Sequence, residues 1–102
     1  ALGGYAHLYD RICIAINPET GGLDTNKSRP QRYGSQGHGT TNTPWQPYEV
    51  EDLKNVDVRR KAIGLTETLQ EYFNRMNSDH QGLEMRPIPI AKPNETNIPT
   101  PL

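Results

Sequence analysis

Large aliphatic side chains and phenylalanine are scarce in this sequence. Leucine, isoleucine, valine and phenylalanine together account for 19 of the 102 residues. This share lies just under the roughly 20% below which a chain has difficulty building a hydrophobic core. The net charge is only −1, whereas disordered chains usually combine low hydrophobicity with high net charge. We therefore expect local structure with little independent core, completed by burial against other proteins.

Three further absences narrow the class of protein. The single cysteine, Cys13, excludes an internal disulfide and indicates a reducing compartment or a buried thiol. No stretch approaches the ~20 consecutive apolar residues of a membrane-spanning helix. The balanced charge argues against a nucleic-acid-binding protein, which normally carries a basic face. We therefore expect neither a nucleic-acid partner nor a transmembrane segment.

The strongest periodic pattern predicts one amphipathic helix over residues 57–77. Its apolar side chains alternate between four- and three-residue intervals, which keeps them on one helix face. They are Val58, Ala62, Leu65, Leu69, Tyr72 and Met76, with Ile63 and Phe73 widening the stripe. Asp57 is the expected N-cap, and Gly64 should weaken the middle by roughly 1 kcal/mol relative to alanine. The stripe predicts burial against a partner or against a second helix.

That second helix is predicted over residues 5–16. Its helical spacing is carried by Tyr5, Leu8, Tyr9, Ile12, Cys13 and Ile16. The alternating isoleucines at 12, 14 and 16 would also suit a strand, because β-branched residues favour strands. The longer periodic run favours the helix. Pro18 sets its end, since the residue before a proline avoids the α region.

Two segments rich in glycine and proline complete the chain. Residues 17–47 contain only three large apolar side chains, Leu23, Tyr33 and Trp45. This segment is either disordered or lies along a partner, with those three side chains as anchors. Residues 82–102 contain five prolines, and the alternating Pro and Ile at 87–90 favour an extended path. We expect this tail to lie in a groove on another chain.

These predictions define a mainly α chain with extensive irregular structure, a single extended subunit over residues 1–102. It comprises an N-terminal helix (5–16), an extended polar arm (17–47), a main amphipathic helix region (48–81) and a Pro-rich extended tail (82–102). The basic run Arg59–Lys61 faces either an acidic surface of a partner or solvent. The residues expected to contact a partner are Leu23, Tyr33, Trp45, Arg59, Arg60, Leu65, Leu69, Tyr72, Phe73, Met76, Ile88 and Ile90.

The sequence offers no pattern for catalysis, a cofactor or a metal. His7, His38 and His80 are far apart and lack the spacing of metal ligands. The glycines at 34, 37 and 39 do not follow the GxGxxG order of a phosphate loop. No acid–base groups converge in the sequence. We therefore expect no catalytic residue, no metal and no cofactor, and a protein that is not an enzyme.

Two patches of the sequence resemble a known family. One runs over Tyr9–Ile12 and continues at Ala15–Leu23, and the other is Val56–Arg60. They are similar to the small fungal-type accessory subunits of mitochondrial NADH:ubiquinone oxidoreductase (complex I). The resemblance implies a non-catalytic, stabilising subunit on the matrix side of the inner membrane, without a cofactor of its own. The alternative is a minor or cementing capsid protein of a virus or phage, because extended arms and uncharged Gly/Thr/Asn loops suit it equally well.

Overall fold

The computed structural model describes residues 2–79 and 82–90 of the chain. Much of the described chain is irregular, between short helices and strands. In order, these are α1 (Leu2–Cys13), β1 (Gly37–His38), β2 (Gln46–Pro47), a 3-10 turn (Leu53–Asn55), α2 (Val56–Ala62) and α3 (Leu69–Met76). The prediction of a helical chain with extensive irregular structure is confirmed at this level, whereas the strands are an addition.

Helix α1 begins and ends three residues earlier than the pattern predicts. Its buried face is formed by Ala6, Asp10 and Cys13, which follow one another at helical intervals. Beyond Cys13 the chain leaves the helix, and Ile16 forms an isolated antiparallel bridge with Leu23. The strand interpretation of residues 12–16 therefore holds only at this bridge.

The prediction of a single helix over residues 57–77 is wrong, because a turn divides it. α2 ends at Ala62, and Gly64 adopts a φ of +91°, which glycine reaches far more easily than other residues. A new helix then begins after Thr68, whose hydroxyl accepts a hydrogen bond from the Glu71 N–H. The Glu71 carboxylate accepts one from the Thr68 N–H in return. This reciprocal capping box starts α3.

Asp57 is not the N-cap residue of a helix, contrary to the prediction. It lies inside α2, whose N-cap is Asn55. Its carboxylate instead accepts a hydrogen bond from the N–H of Leu69, at 2.8 Å. Since Leu69 is the first residue of α3, Asp57 ties the two halves of the divided helix together.

A small hydrophobic core lies where the buried face of α3 contacts the chain around residue 50. Leu69, one member of the predicted stripe, is only 1% exposed, whereas Val58 and Met76 of the same stripe are 68% and 42% exposed. The core cluster consists of Val50, Val56, Leu69 and Tyr72, with Trp45 and Met85 packed against it. The burial predicted for Leu69 is confirmed, and the partners that bury it belong to the same chain.

Residues 31–50 fold back on the molecule instead of forming an open arm. β1 pairs antiparallel with β2, so that Gly37 lies opposite Pro47. Gln31 forms a parallel bridge with Val50. The predicted arm therefore contributes hydrogen-bonded structure and part of the core.

The first part of the predicted tail packs on its own chain. Ile88 donates its N–H to the carbonyl oxygen of Pro47 and accepts from the N–H of Glu49, both at 2.8 Å. The N–H of Ile90 donates to the Glu49 carboxylate at 2.9 Å. The contacts predicted with another chain are, for these residues, made with this chain. Residues 91–102 and His80 lie outside the described residues.

Candidate protein interface

A buried carboxylate joins α1 to the loop of residues 31–36. Asp10 is fully enclosed because it lies on the inward face of α1. Its Oδ1 accepts hydrogen bonds from the backbone N–H groups of Arg32 (2.9 Å) and Tyr33 (3.1 Å). Its Oδ2 accepts from the N–H (2.9 Å) and the hydroxyl (2.7 Å) of Ser35. These four donors compensate the loss of water around the carboxylate.

Side chains of α2 and α3 hold the carbonyl groups of the same loop. Arg59 Nε, Arg60 Nη1 and Tyr72 Oη donate to the carbonyl oxygens at positions 32, 33 and 35, over 3.0, 2.7 and 3.0 Å. Asp10 and the Arg59–Arg60 pair thus meet at one loop, although they are far apart in sequence. The two short sequence patches around these residues are joined in space by this shared loop.

The Gln31 side chain joins the two ends of the loop of residues 31–36 by hydrogen bonds. Its side chain is fully buried. Its Nε2 donates to the carbonyl oxygens of Gln36 (2.7 Å) and Tyr48 (2.8 Å), and its Oε1 accepts from the Gln36 N–H (2.9 Å). The loop therefore has partners for its backbone groups on several sides, as buried backbone requires.

The ring of Tyr72 contacts two guanidinium groups. The Cζ atoms of Arg60 and Arg75 lie 5.4 and 5.1 Å from its centroid, within the range of cation–π attraction. Burial raises the pKa of Tyr72. Arg75 also donates from Nε and Nη2 to both carboxylate oxygens of Glu67, at 2.9 and 3.0 Å. These hydrogen bonds lower the pKa of Glu67.

An apolar row remains exposed along α1. Tyr5, Leu8 and Ile12 recur at helical intervals beside the buried face, and we call them the α1 ridge. Leu8 and Ile12 are 59% and 64% exposed. Single exposed apolar residues are ordinary, but several in a row on one face are typical of a site that binds another molecule.

The structure divides the predicted partner contacts into two groups. One group is enclosed by the chain itself: Tyr33, Arg60, Leu69, Tyr72, Phe73 and Ile90. The other group keeps partial or full exposure: Leu23, Trp45, Arg59, Leu65, Met76 and Ile88. The enclosed group maintains the fold, so only the second group is accessible to a partner in this conformation.

Two features of the interface have only a weak signal in the sequence. The apolar residues of α1 cover a wider arc of the helix surface than the face that α1 buries. This excess width is the signal in the sequence for the exposed α1 ridge. Asp10 is signalled only by its place within the same apolar arc, between Ala6 and Cys13. A charge at such a position is either a defect or has specific buried partners.

Comparison with known proteins adds no relative. No protein-family model, no curated protein and no solved structure matches the chain. Across residues 2–79 and 82–90, no group of three or more His, Cys, Asp or Glu side chains is arranged to hold a metal ion. Within the same ranges no helix has the length and apolar character needed to cross a membrane. The surface of the chain is therefore the basis for a functional proposal.

Proposed function

We propose that the chain is a non-catalytic structural subunit that binds and stabilises other proteins in a large assembly. The observation that carries this proposal is the α1 ridge, where Leu8 and Ile12 keep most of their surface in water. Burying side chains of this kind is worth about 1.5–3 kcal/mol each. An apolar surface of another protein is the partner chemistry that this ridge fits.

The ridge is supported from below by fixed contacts. Asp10 locks the inward side of α1 to the loop of residues 31–36. The rings of Tyr5 and Tyr9 pack edge-on against Tyr33, with centroids 6.2 and 5.8 Å apart. Because α1 is already ordered, binding a partner costs this helix little conformational entropy, which favours affinity.

The fuller proposal is an accessory subunit of mitochondrial complex I, on the matrix side of the inner membrane. It rests on the resemblance of the patches at Tyr9–Ile12, Ala15–Leu23 and Val56–Arg60 to such subunits. Within this chain Asp10 and the Arg59–Arg60 pair hold a loop in place. A role of this kind suits a subunit that contributes stability and no chemistry of its own.

Native gel electrophoresis with mass spectrometry tests the proposal in cells that express the full chain. We expect the wild-type chain to migrate with a large assembly. The double variant Leu8→Asp/Ile12→Asp should be released, because two carboxylates would have to lose their water against the partner. Val58→Asp is the matched control, since Val58 is 68% exposed on a different helix. It should stay bound.

Each alternative outcome has a defined meaning. A wild-type chain that migrates alone would overturn the proposal of a structural subunit. Retention of the double variant at the wild-type level, with unchanged circular dichroism, would exclude the ridge as the contact. Migration with an assembly that lacks NADH dehydrogenase activity would overturn the assignment to complex I and leave the structural-subunit proposal standing.

A further inference from the structure

Arg60 carries a buried positive charge that forms no ion pair with the described residues. The residue is only 3% exposed. Its Nε donates to the backbone carbonyl of Glu67 (2.8 Å) and its Nη1 to that of Tyr33 (2.7 Å). Within the described ranges, no carboxylate lies within 4.0 Å of its guanidinium. Burial lowers the pKa of Arg60, because an enclosed cation normally needs a counter-charge.

The carboxylates of Glu67, Asp57 and Asp10 all form hydrogen bonds with groups other than Arg60. The negative charges of Glu67, Asp57 and Asp10 each raise the pKa of Arg60 and so partly offset the effect of burial. Both oxygens of Glu67 are held by Arg75. Asp57 accepts from the first N–H of α3, and Asp10 is surrounded by its four loop donors. None of these three carboxylates hydrogen-bonds to Arg60, so its guanidinium has no directly bonded counter-ion among the described residues.

A cleft of about 220 Å³ opens beside this charge. Its lining includes two guanidinium groups and one carboxylate, from Arg60, Arg75 and Glu67, beside His7, Ser35 and Tyr72. The Nη2 of Arg60 donates to no described residue. Fully enclosed polar side-chain atoms in the described chain all have a partner, so this Nη2 is not fully enclosed, and Arg60 is one of the residues that line the cleft. Sites for drug-sized ligands occupy roughly 300–1,000 Å³, and this cleft suits a single side chain.

We infer that the cleft is a socket for one acidic side chain of the partner protein. This inference rests on the proposed function, because Ala6 and His7 place one wall of the cleft on α1, the helix that carries the ridge. A carboxylate in the socket accepts from Nη2 of Arg60 and forms the direct ion pair that Arg60 does not make with the described residues. Charge-assisted hydrogen bonds of this kind are about twice as strong as neutral ones.

Two blocked tripeptides test the socket on the purified full chain. One has glutamate between two glycines, and the other has glutamine at that place. In an NMR titration we expect the glutamate peptide to shift the Arg60 Nε–H signal saturably and to bind at least tenfold more tightly than the glutamine peptide. Equal binding of the two, or no saturable shift, would overturn the socket. Acetate binding more tightly than the glutamate peptide would assign the cleft to a free organic acid and overturn the protein side chain.

A surface substitution gives a second test that leaves the core unchanged. Arg75→Gln releases the carboxylate of Glu67, which can then pair with Arg60 from inside the chain. We expect this variant to lose binding of the glutamate peptide. The double variant Arg75→Gln/Glu67→Gln removes the internal competitor and should restore binding. Wild-type affinity in the single variant, or no recovery in the double variant, would contradict the inference.

Failure of the socket and failure of the proposed function give different results. If Leu8→Asp/Ile12→Asp releases the chain from its assembly and the glutamate peptide does not bind, only the socket is overturned. If the peptide binds and the wild-type chain migrates alone, the proposed function is overturned, and with it the partner as the source of the carboxylate.

Discussion

At the scale of single residues, the attachment of α1 depends on Asp10. We expect Asp10→Asn to lower the free energy of unfolding by about 3 kcal/mol, since hydrogen bonds to a charged group contribute roughly 1.5–3 kcal/mol. The amide keeps one accepting oxygen and turns an NH₂ group toward donors of the loop. Urea denaturation followed by circular dichroism measures the change. Asp79→Asn, at an exposed position, is the control and should stay within about 0.5 kcal/mol of wild type.

Gly34 and Gly21 form a natural pair for separating strain from crowding. Both have a φ of +76°. A Cβ on Gly34 would lie 2.6 Å from Cδ1 of Leu69, whereas a Cβ on Gly21 would have no atom within 4 Å. We expect Gly21→Ala to cost about 1 kcal/mol of backbone strain, and Gly34→Ala about 2–4 kcal/mol because overpacking adds to it. Equal thermal unfolding midpoints for the two variants would contradict the close packing of Leu69 on the loop.

At the scale of elements, Gly64 distinguishes a divided helix from a continuous one. In a continuous helix, Gly64→Ala would stabilise the protein by roughly 1 kcal/mol. In this structure the φ of +91° at Gly64 makes alanine unfavourable by about 1–2 kcal/mol. Denaturant titration gives the sign of the change directly. Stabilisation by alanine would show that α2 and α3 form one helix in solution.

The division between α2 and α3 also shows which features of the fold can be predicted from the sequence. The apolar periodicity correctly places Leu69, Tyr72 and Phe73 on a buried face, because that face is a local property. It continues through residues 63–68 without a change, so it cannot show the break there. The capping box formed by Thr68 and Glu71 is visible in the sequence as a helix start. Read together with Gly64, it is the signal that predicts two helices.

The loop of residues 31–36 could not have been predicted from local patterns. Its order depends on Asp10, Arg60 and Tyr72, which come from three separate helices. Composition correctly indicates that this segment has few apolar side chains. On that basis alone, the segment is predicted to be an open arm. Buried polar side chains supply the contacts that apolar ones do not. No count of hydrophobic residues registers such contacts.

At the scale of the whole molecule, burial of tyrosines predicts sensitivity to alkali. Burial raises the pKa of Tyr33, Tyr48 and Tyr72 above the ordinary value. A raised folded-state pKa contributes stability that is complete below the unfolded-state pKa, about 10, and is lost as the pH rises through the folded-state value. We therefore expect the free energy of unfolding to fall above about pH 10.

Absorbance at 295 nm gives the matching measurement. The native chain should show fewer tyrosinates near pH 10 than the chain in urea, because burial raises the pKa of three of its five tyrosines. In Tyr48→Phe, which keeps the ring, the loss of stability above pH 10 should be smaller. A native titration in which all tyrosines ionise together near pH 10 would contradict the burial of these rings.

The link between Asp10 and its loop also governs when the chain can fold as it is synthesised. Helix α1 precedes the loop in the sequence, so it leaves the ribosome before the N–H groups that receive its carboxylate. The carbonyls of that loop in turn wait for Arg60 and Tyr72. Until those residues emerge, Asp10 stays hydrated and α1 has nothing to dock on. A nascent chain that stops short of α3 therefore leaves its N-terminal helix undocked, and this part of the fold forms only after Tyr72 has left the ribosome.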